Sequence, residues 1–129
     1  MKIYPIICLF LILLAVLGGC KSSSKYVVLD ESKNEQTIKL KTGQFLVVKL
    51  KGNPTTGYIW EQSGECKLLH RIKESEFEPE SNLIGAPGTQ TLAFRTVNTG
   101  RESLELVYHR PWEKGKEPIK TFSITIEVD

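Results

Sequence analysis

A chain of 129 residues, 40% of them hydrophobic, with 17 basic and 15 acidic side chains, is long enough for one hydrophobic core and too evenly charged for a nucleic-acid binder. Lys and Glu are interspersed rather than run together, which is the pattern of a solvated surface. The sequence contains no internal repeat, and its one low-complexity stretch is a short Ser-rich segment near the N-terminus.

Met1 to Pro5 carries a single charge, Lys2, and leads into an apolar run from Ile6 to Leu17. That run is shorter than the ~18 to 20 residues needed to span a bilayer, so it reads as the hydrophobic part of an export signal rather than as a transmembrane anchor. Leu17-Gly18-Gly19-Cys20 resembles the processing site of bacterial lipoproteins, at which the Cys20 thiol is diacylated and becomes the new N-terminus. The alternative is a plain secretory signal followed by an accidental Cys. Residues 1–19 are expected to be a signal peptide, and 20–25 a lipidated Cys with a flexible Lys21-Ser22-Ser23-Ser24-Lys25 tether. The folded domain is expected over 26–129, exported and held by lipid on the outer face of a cell membrane or on an outer membrane. Lys21 after Cys20, in place of Asp, leans towards the outer membrane. Loss of Lys2 with the signal leaves 16 basic against 15 acidic groups.

The same processing governs the cysteines. Cys8 leaves with the signal, Cys20 is lipidated, and Cys66 remains alone, so no intramolecular disulfide is expected. One Cys with two separated histidines, His70 and His109, lacks the paired spacing of a zinc site, and neither metal nor cofactor is expected. Cys66 reads as a small buried hydrophobe.

Beyond the tether the pattern is β throughout. Tyr26-Val27-Val28-Leu29 opens it, Thr37-Ile38-Lys39-Leu40 alternates, and Phe45 to Leu50 forms a longer apolar strand. Tyr58-Ile59-Trp60 resumes extended structure. Leu92, Phe94 and Thr96 face one way and Ala93, Arg95 and Val97 the other; Leu104, Leu106 and Tyr108 alternate with Ser103, Glu105 and Val107. Phe122, Ile124, Ile126 and Val128 give the cleanest period of two. Turn signals fall at Lys41-Thr42-Gly43, Asn98-Thr99-Gly100 and Glu113-Lys114-Gly115-Lys116. Seven to eight short strands with this spacing predict an all-β, immunoglobulin-like antiparallel β-sandwich. Between Lys67 and Ile84 the pattern is ambiguous: Leu68, Leu69 and Ile72 fit a strand, Glu74 to Asn82 a polar loop, and a helix is also compatible.

Three segments stand out against this scaffold. Asn53-Pro54-Thr55-Thr56-Gly57-Tyr58 is a stiff polar loop between two strands: Pro54 fixes its own φ and biases Asn53 to extended geometry, Gly57 is free to take φ > 0, and Thr55 and Thr56 offer hydroxyls. Gly85-Ala86-Pro87-Gly88 permits close backbone approach by another molecule. Arg110-Pro111-Trp112 places an indole and a guanidinium at the start of the last connection, the residue types that dominate interface hot spots. Ordinary turns account for the first two on conformational grounds alone, and Trp112 could instead fold back as a core plug. In a sandwich, alternate connections emerge at one end, so the three segments can share a surface.

These three motifs, in this order, resemble those of the chagasin family of cysteine peptidase inhibitors over roughly Thr37 to Val128. The resemblance implies a monomeric, immunoglobulin-like inhibitor, not an enzyme, that blocks papain-like peptidases reversibly and tightly by wedging three loops into the cleft. By resemblance, Thr55 and Thr56 lie nearest the peptidase's catalytic Cys and His, with Asn53, Pro54, Gly57 and Tyr58 shaping their loop. Gly85, Ala86, Pro87 and Gly88 line one side of the cleft; Arg110 and Trp112 brace against the other, and Pro111 stiffens the tip. The family's second motif is usually Gly-x-Gly-Gly, and Pro87 stands where the third position is commonly Gly, which removes a backbone donor. The rival reading is a lipid-anchored binding module of the same fold for another envelope or extracellular ligand. An enzyme would have to draw on His70, His109, Ser103 and the acidic residues, and no nucleophile motif supports one.

Overall fold

The computed structural model describes residues 24–129; the expected signal peptide, Cys20 and the first tether residues lie outside them. Among the described residues nine strands pack as two sheets. They are β1 (Tyr26–Leu29), β2 (Thr37–Leu40), β3 (Phe45–Gly52), β4 (Ile59–Ser63), β5 (Leu69–Arg71), β6 (Glu76–Pro79), β7 (Gly88–Thr96), β8 (Gly100–His109) and β9 (Lys120–Val128). The first sheet runs β1-β3-β7, with β5 and β6 both paired to the far side of β7, and the second runs β2-β9-β8-β4.

The alternating residues make the core. Leu46, Val48, Leu50, Leu92 and Phe94 from the first sheet face Leu104, Leu106, Phe122, Ile124 and Ile126 from the second, and all ten are essentially inaccessible to water. At about 25 cal/mol per Å² of apolar area, each such side chain contributes roughly 1.5–3 kcal/mol to folding before chain entropy is subtracted. Cys66 is buried among them, and burial pushes its thiol pKa up, so it stays protonated and inert.

Two expectations need correction. The sheets are mixed rather than antiparallel, because β1 pairs with β3 and β2 with β9 in the parallel sense. The cause is the connection after β1: a 3-10 turn at Glu31–Lys33, capped by the Asp30 carboxylate, carries the chain across to the other sheet. β1 and β3 are therefore joined by a crossover through β2, which brings them together parallel. Secondly, Glu76–Pro79 is a strand and not part of a polar loop, and no helix forms between residues 67 and 84. All four β6 residues are exposed, so the edge strand carries no alternation to read.

Register fixes the two poles of the sandwich. Gly52 pairs with Gly88, Pro79 with Gly88, Ile59 with His109 and Tyr108 with Lys120. The connections β3–β4, β6–β7 and β8–β9 therefore leave from one pole. Phe45, Gly100 and Val128 mark the opposite pole, and the chain enters there through Lys25, whose carbonyl accepts from the Phe45 N–H at 2.9 Å.

Candidate functional site

The first connection is a short 3-10 turn over Pro54–Thr56. Pro sits where a helical start lacks partners for its N–H, and Asn53 caps the turn by accepting from Thr55 N through its side-chain oxygen. Gly57 closes it at φ +87°, donating its N–H to the Pro54 carbonyl at 2.9 Å. The threonine hydroxyls do not simply point outward as free donors. Thr55 Oγ1 donates to the Asn53 side chain and Thr56 Oγ1 to the Asn53 carbonyl, so their protons staple the loop and their lone pairs are what remains for a partner.

Hydrogen bonds from different segments knit the three connections together. Asn53 Nδ2 donates to the Gly85 carbonyl at 3.1 Å, joining the first loop to the second. Arg110 Nε donates to the Thr56 carbonyl at 3.0 Å, joining the third to the first. The Asn53 backbone N–H donates to the Tyr108 hydroxyl at 2.9 Å, tying the loop to the strand beneath.

An aromatic column stands under this pole. Trp60 and Tyr108 lie 5.1 Å apart, Tyr108 and Tyr58 5.5 Å, and the Arg110 guanidinium sits 4.4 Å over the Tyr58 ring. Aromatic pairs of this kind add about 0.5–1.5 kcal/mol each beyond area burial, and an exposed cation over a ring about 0.5–1 kcal/mol. Trp112 is 66% exposed, so it is not a core plug. It lies against Gly57, where a β-carbon would meet its Cη2 at 2.3 Å.

The second connection divides in two. Gly85, at φ +81°, and Ala86 and Pro87 belong to the turn, and the Pro87 carbonyl accepts from Glu80 N at 2.9 Å. Gly88 is buried as the first residue of β7, flanked by Gly52 and Pro79, so its place is inside the sheet. Sequence reading missed Leu83 and Ile84. Leu83 is 78% exposed and Ile84 fully so, two apolar side chains at the tip of the loop beside Gly85. An adjacent apolar pair in a polar stretch, just before the glycine motif, was the available signal.

Glu113 is another missed residue. Its carboxylate accepts from Arg110 Nη1 at 2.9 Å and pairs with Lys116 Nζ at 3.1 Å. The Arg110 hydrogen bond, and then that of Lys116, hold the Glu113 carboxyl below the usual carboxylate range. A depressed carboxylate contributes fully above its unfolded pKa and loses that contribution as pH falls through the lowered folded value. The Arg110 brace is therefore expected to persist through mildly acidic solution, from neutrality to about pH 5. Glu113→Gln is expected to loosen the Arg110 side chain, with exchange of its Nε–H about two- to fivefold faster by NMR across that range. His109 ends β8 with Nε2 2.7 Å from Glu61 Oε2, and His70 is exposed on β5, far from it in register. Among the described residues no three His, Cys, Asp or Glu side chains gather to hold a metal ion.

Comparison with known proteins decides what this pole belongs to. The family described as "Chagasin family peptidase inhibitor I42" matches residues 39–126, a span that holds all three loops. The chain belongs to the chagasin family. Amoebiasin-2 of Entamoeba histolytica is 27% identical over 104 residues, covering 78% of this chain and 84% of its own. Chagasin of Trypanosoma cruzi is 26% identical over 104 residues, covering 77% and 94%. The crystal structure of a cysteine protease inhibitor from Entamoeba histolytica superposes with a TM-score of 0.71 at 25% identity, over 81% of this chain and 96% of that one. Chagasin-family membership makes this chain a peptidase inhibitor rather than an enzyme, and the immunoglobulin-like sandwich is the family's fold.

Proposed function

We propose that this chain is a reversible, tight-binding inhibitor of papain-like cysteine peptidases, and that its three-loop pole fills the catalytic cleft. The observation that carries the reading is the cross-bracing of the loops, Asn53 to Gly85 and Arg110 to Thr56, which makes three separate connections one rigid edge. Rigidity before binding reduces the entropy lost on association, which is how a standard-sized interface reaches high affinity.

The same geometry explains why the loop resists cleavage. A scissile peptide must lie extended, with its carbonyl in line with the nucleophile and open to oxyanion donors. Residues 54–56 are coiled into a 3-10 turn, and the carbonyls of Asn53, Pro54 and Thr56 already accept from Thr56, Gly57 and Arg110. In this reading Thr55 and Thr56 would meet the peptidase's catalytic residues, the 85–87 turn with Leu83 and Ile84 one wall of the cleft, and Arg110, Pro111 and Trp112 the other. Family membership supports the peptidase as partner, and the exposed Trp112, Leu83 and Ile84 supply apolar area for it to cover.

The protein acts as an exported monomer, tethered by a lipid on Cys20. The apolar run 6–17 and Leu17-Gly18-Gly19-Cys20 support this, and mass spectrometry of the membrane fraction for an acylated Cys20 tests it. The functional test is titration of active papain or a cathepsin L-type enzyme with a soluble chain beginning at Lys21, following hydrolysis of a fluorogenic peptide. Saturable, reversible inhibition with the chain uncut is expected. The paired change Thr56→Ala with Trp112→Ala is expected to weaken it at least about a hundredfold. Unchanged inhibition by that pair, or none by the folded native chain, overturns the proposal in favour of a binding module for another ligand.

A further inference from the structure

Two polar side chains are buried among the described residues, Thr96 and Gln90. Thr96 is accounted for at the far pole, where its hydroxyl joins Gly43, Lys41 and Gln44. Gln90 lies near the inhibitory pole, two residues into β7 from Gly88, and its carboxamide crosses from one sheet to the other. Its Oε1 accepts from the Trp60 backbone N–H at 2.8 Å, and its Nε2 donates to the Trp60 carbonyl at 2.8 Å and to Ser75 Oγ at 3.1 Å.

Trp60 belongs to β4, an edge strand whose only ladder partner among the described residues is β8. Its outward N–H and C=O are buried away from water and would be costly left unpaired. Gln90 supplies both partners, as a one-residue neighbouring strand would. The clasp also has an address. β7 is the strand that leaves the second loop, and Trp60 follows the first loop by two residues, in ring contact with Tyr108 of the aromatic column.

We propose that Gln90 is a positioning residue for inhibition: its carboxamide clasp on Trp60 sets the separation between the first and second loops. The proposal rests on the inhibitor reading above. A neutral amide of this length is required, because the group must accept from an N–H and donate to a C=O. Met matches its size and does neither. A Glu carboxylate accepts only, and opposes its second oxygen to the Trp60 carbonyl; once protonated, it donates and restores the clasp.

The test uses the full chain in detergent, native, Gln90→Met and Gln90→Glu, titrated against papain at about pH 7.5, well above the ordinary Glu pKa, and at about pH 4.5, close to it, where burial at this position favours the neutral acid. Other titratable groups near the clasp are Glu61 with its partner His109, and Arg71, Lys73 and Glu74, which line the groove outside it with Ser75. They are common to all three proteins, so the comparison with native and Gln90→Met removes their effect. Gln90→Met is expected to weaken inhibition about tenfold at both values. Gln90→Glu is expected to match it at the higher pH and to return to within about threefold of native at the lower. Hydrogen-exchange protection of the Trp60 amide, read by NMR, is expected to follow the same pattern without any peptidase present. If Gln90→Met does not fold, Gln90→Glu refolded at the lower pH and then shifted upward carries the test alone. An inhibiting native chain with unaffected variants, or a Gln90→Glu equally weak at both pH values, overturns the proposal alone. A native chain that does not inhibit overturns the function instead, and the exchange data still report the clasp.

Discussion

Gly57→Ala is expected to raise the inhibition constant by at least about a hundredfold while lowering stability by only about 1–2 kcal/mol. The stability loss comes from φ +87°, a left-handed conformation that a side chain occupies at a cost of about 1–2 kcal/mol. The inhibition loss comes from what lies above. A β-carbon at Gly57 would sit 2.3 Å from Trp112 Cη2 and 2.9 Å from Cζ2, so the indole must leave its seat. One methyl group thus disturbs the turn and the exposed aromatic together. Titration against papain reads the first effect and denaturant unfolding the second. Because both changes act through the same indole, Gly57→Ala combined with Trp112→Ala is expected to be far less harmful than the sum of the two singles. Additive effects would mean that the indole does not rest on the glycine.

Gly88→Ala is expected to act on stability first, with a loss of about 3 kcal/mol and a fall in Tm of about 10 °C or more. Its added β-carbon would lie 2.1 Å from the Glu78 carbonyl oxygen and 2.7 Å from Pro79 Cα. Both are backbone atoms of β6, so relief requires β6 to part from β7, and the turn bearing Leu83 and Ile84 parts with it. Gly85→Ala is the contrast. Among the described residues nothing lies within 4 Å of its β-carbon, and φ +81° is what opposes it, so the cost is about 1–2 kcal/mol. Thermal unfolding of the two variants side by side separates a sheet glycine from a turn glycine. Equal losses would contradict the pairing of Pro79 with Gly88.

The β-sandwich was legible wherever a strand has one wet face. Phe122, Ile124, Ile126 and Val128 are buried as their period of two requires, and so are Leu104, Leu106 and Tyr108. Strand β6 was not legible, because an edge strand exposed on both faces obeys no hydrophobic period. The parallel pairings were hidden for a different reason: alternation reports which face is buried and carries no information about the direction of a neighbour. At the site, the proline and glycine of the first motif revealed a fixed turn, since their effects are local. The Gln90 clasp depends on a partner 30 residues away, which no local rule reaches, whereas the inward Thr56 hydroxyl and the Glu113 brace each span only three residues and follow from the turns that hold them. Pro87 has no backbone donor to offer a partner, while its carbonyl accepts from the Glu80 N–H and closes the turn.

The entry of the chain at the pole opposite its loops has a practical side. From Phe45 to Gly52 the strand β3 runs roughly 25 Å, and the loops stand beyond its far end. Ser24, the first described residue, lies at the pole away from the loops, so a group joined there is attached a strand's length from the working edge. Coupled to a support at Ser24, the domain would turn its loops outward like bait on a line, open to a peptidase arriving from bulk solution.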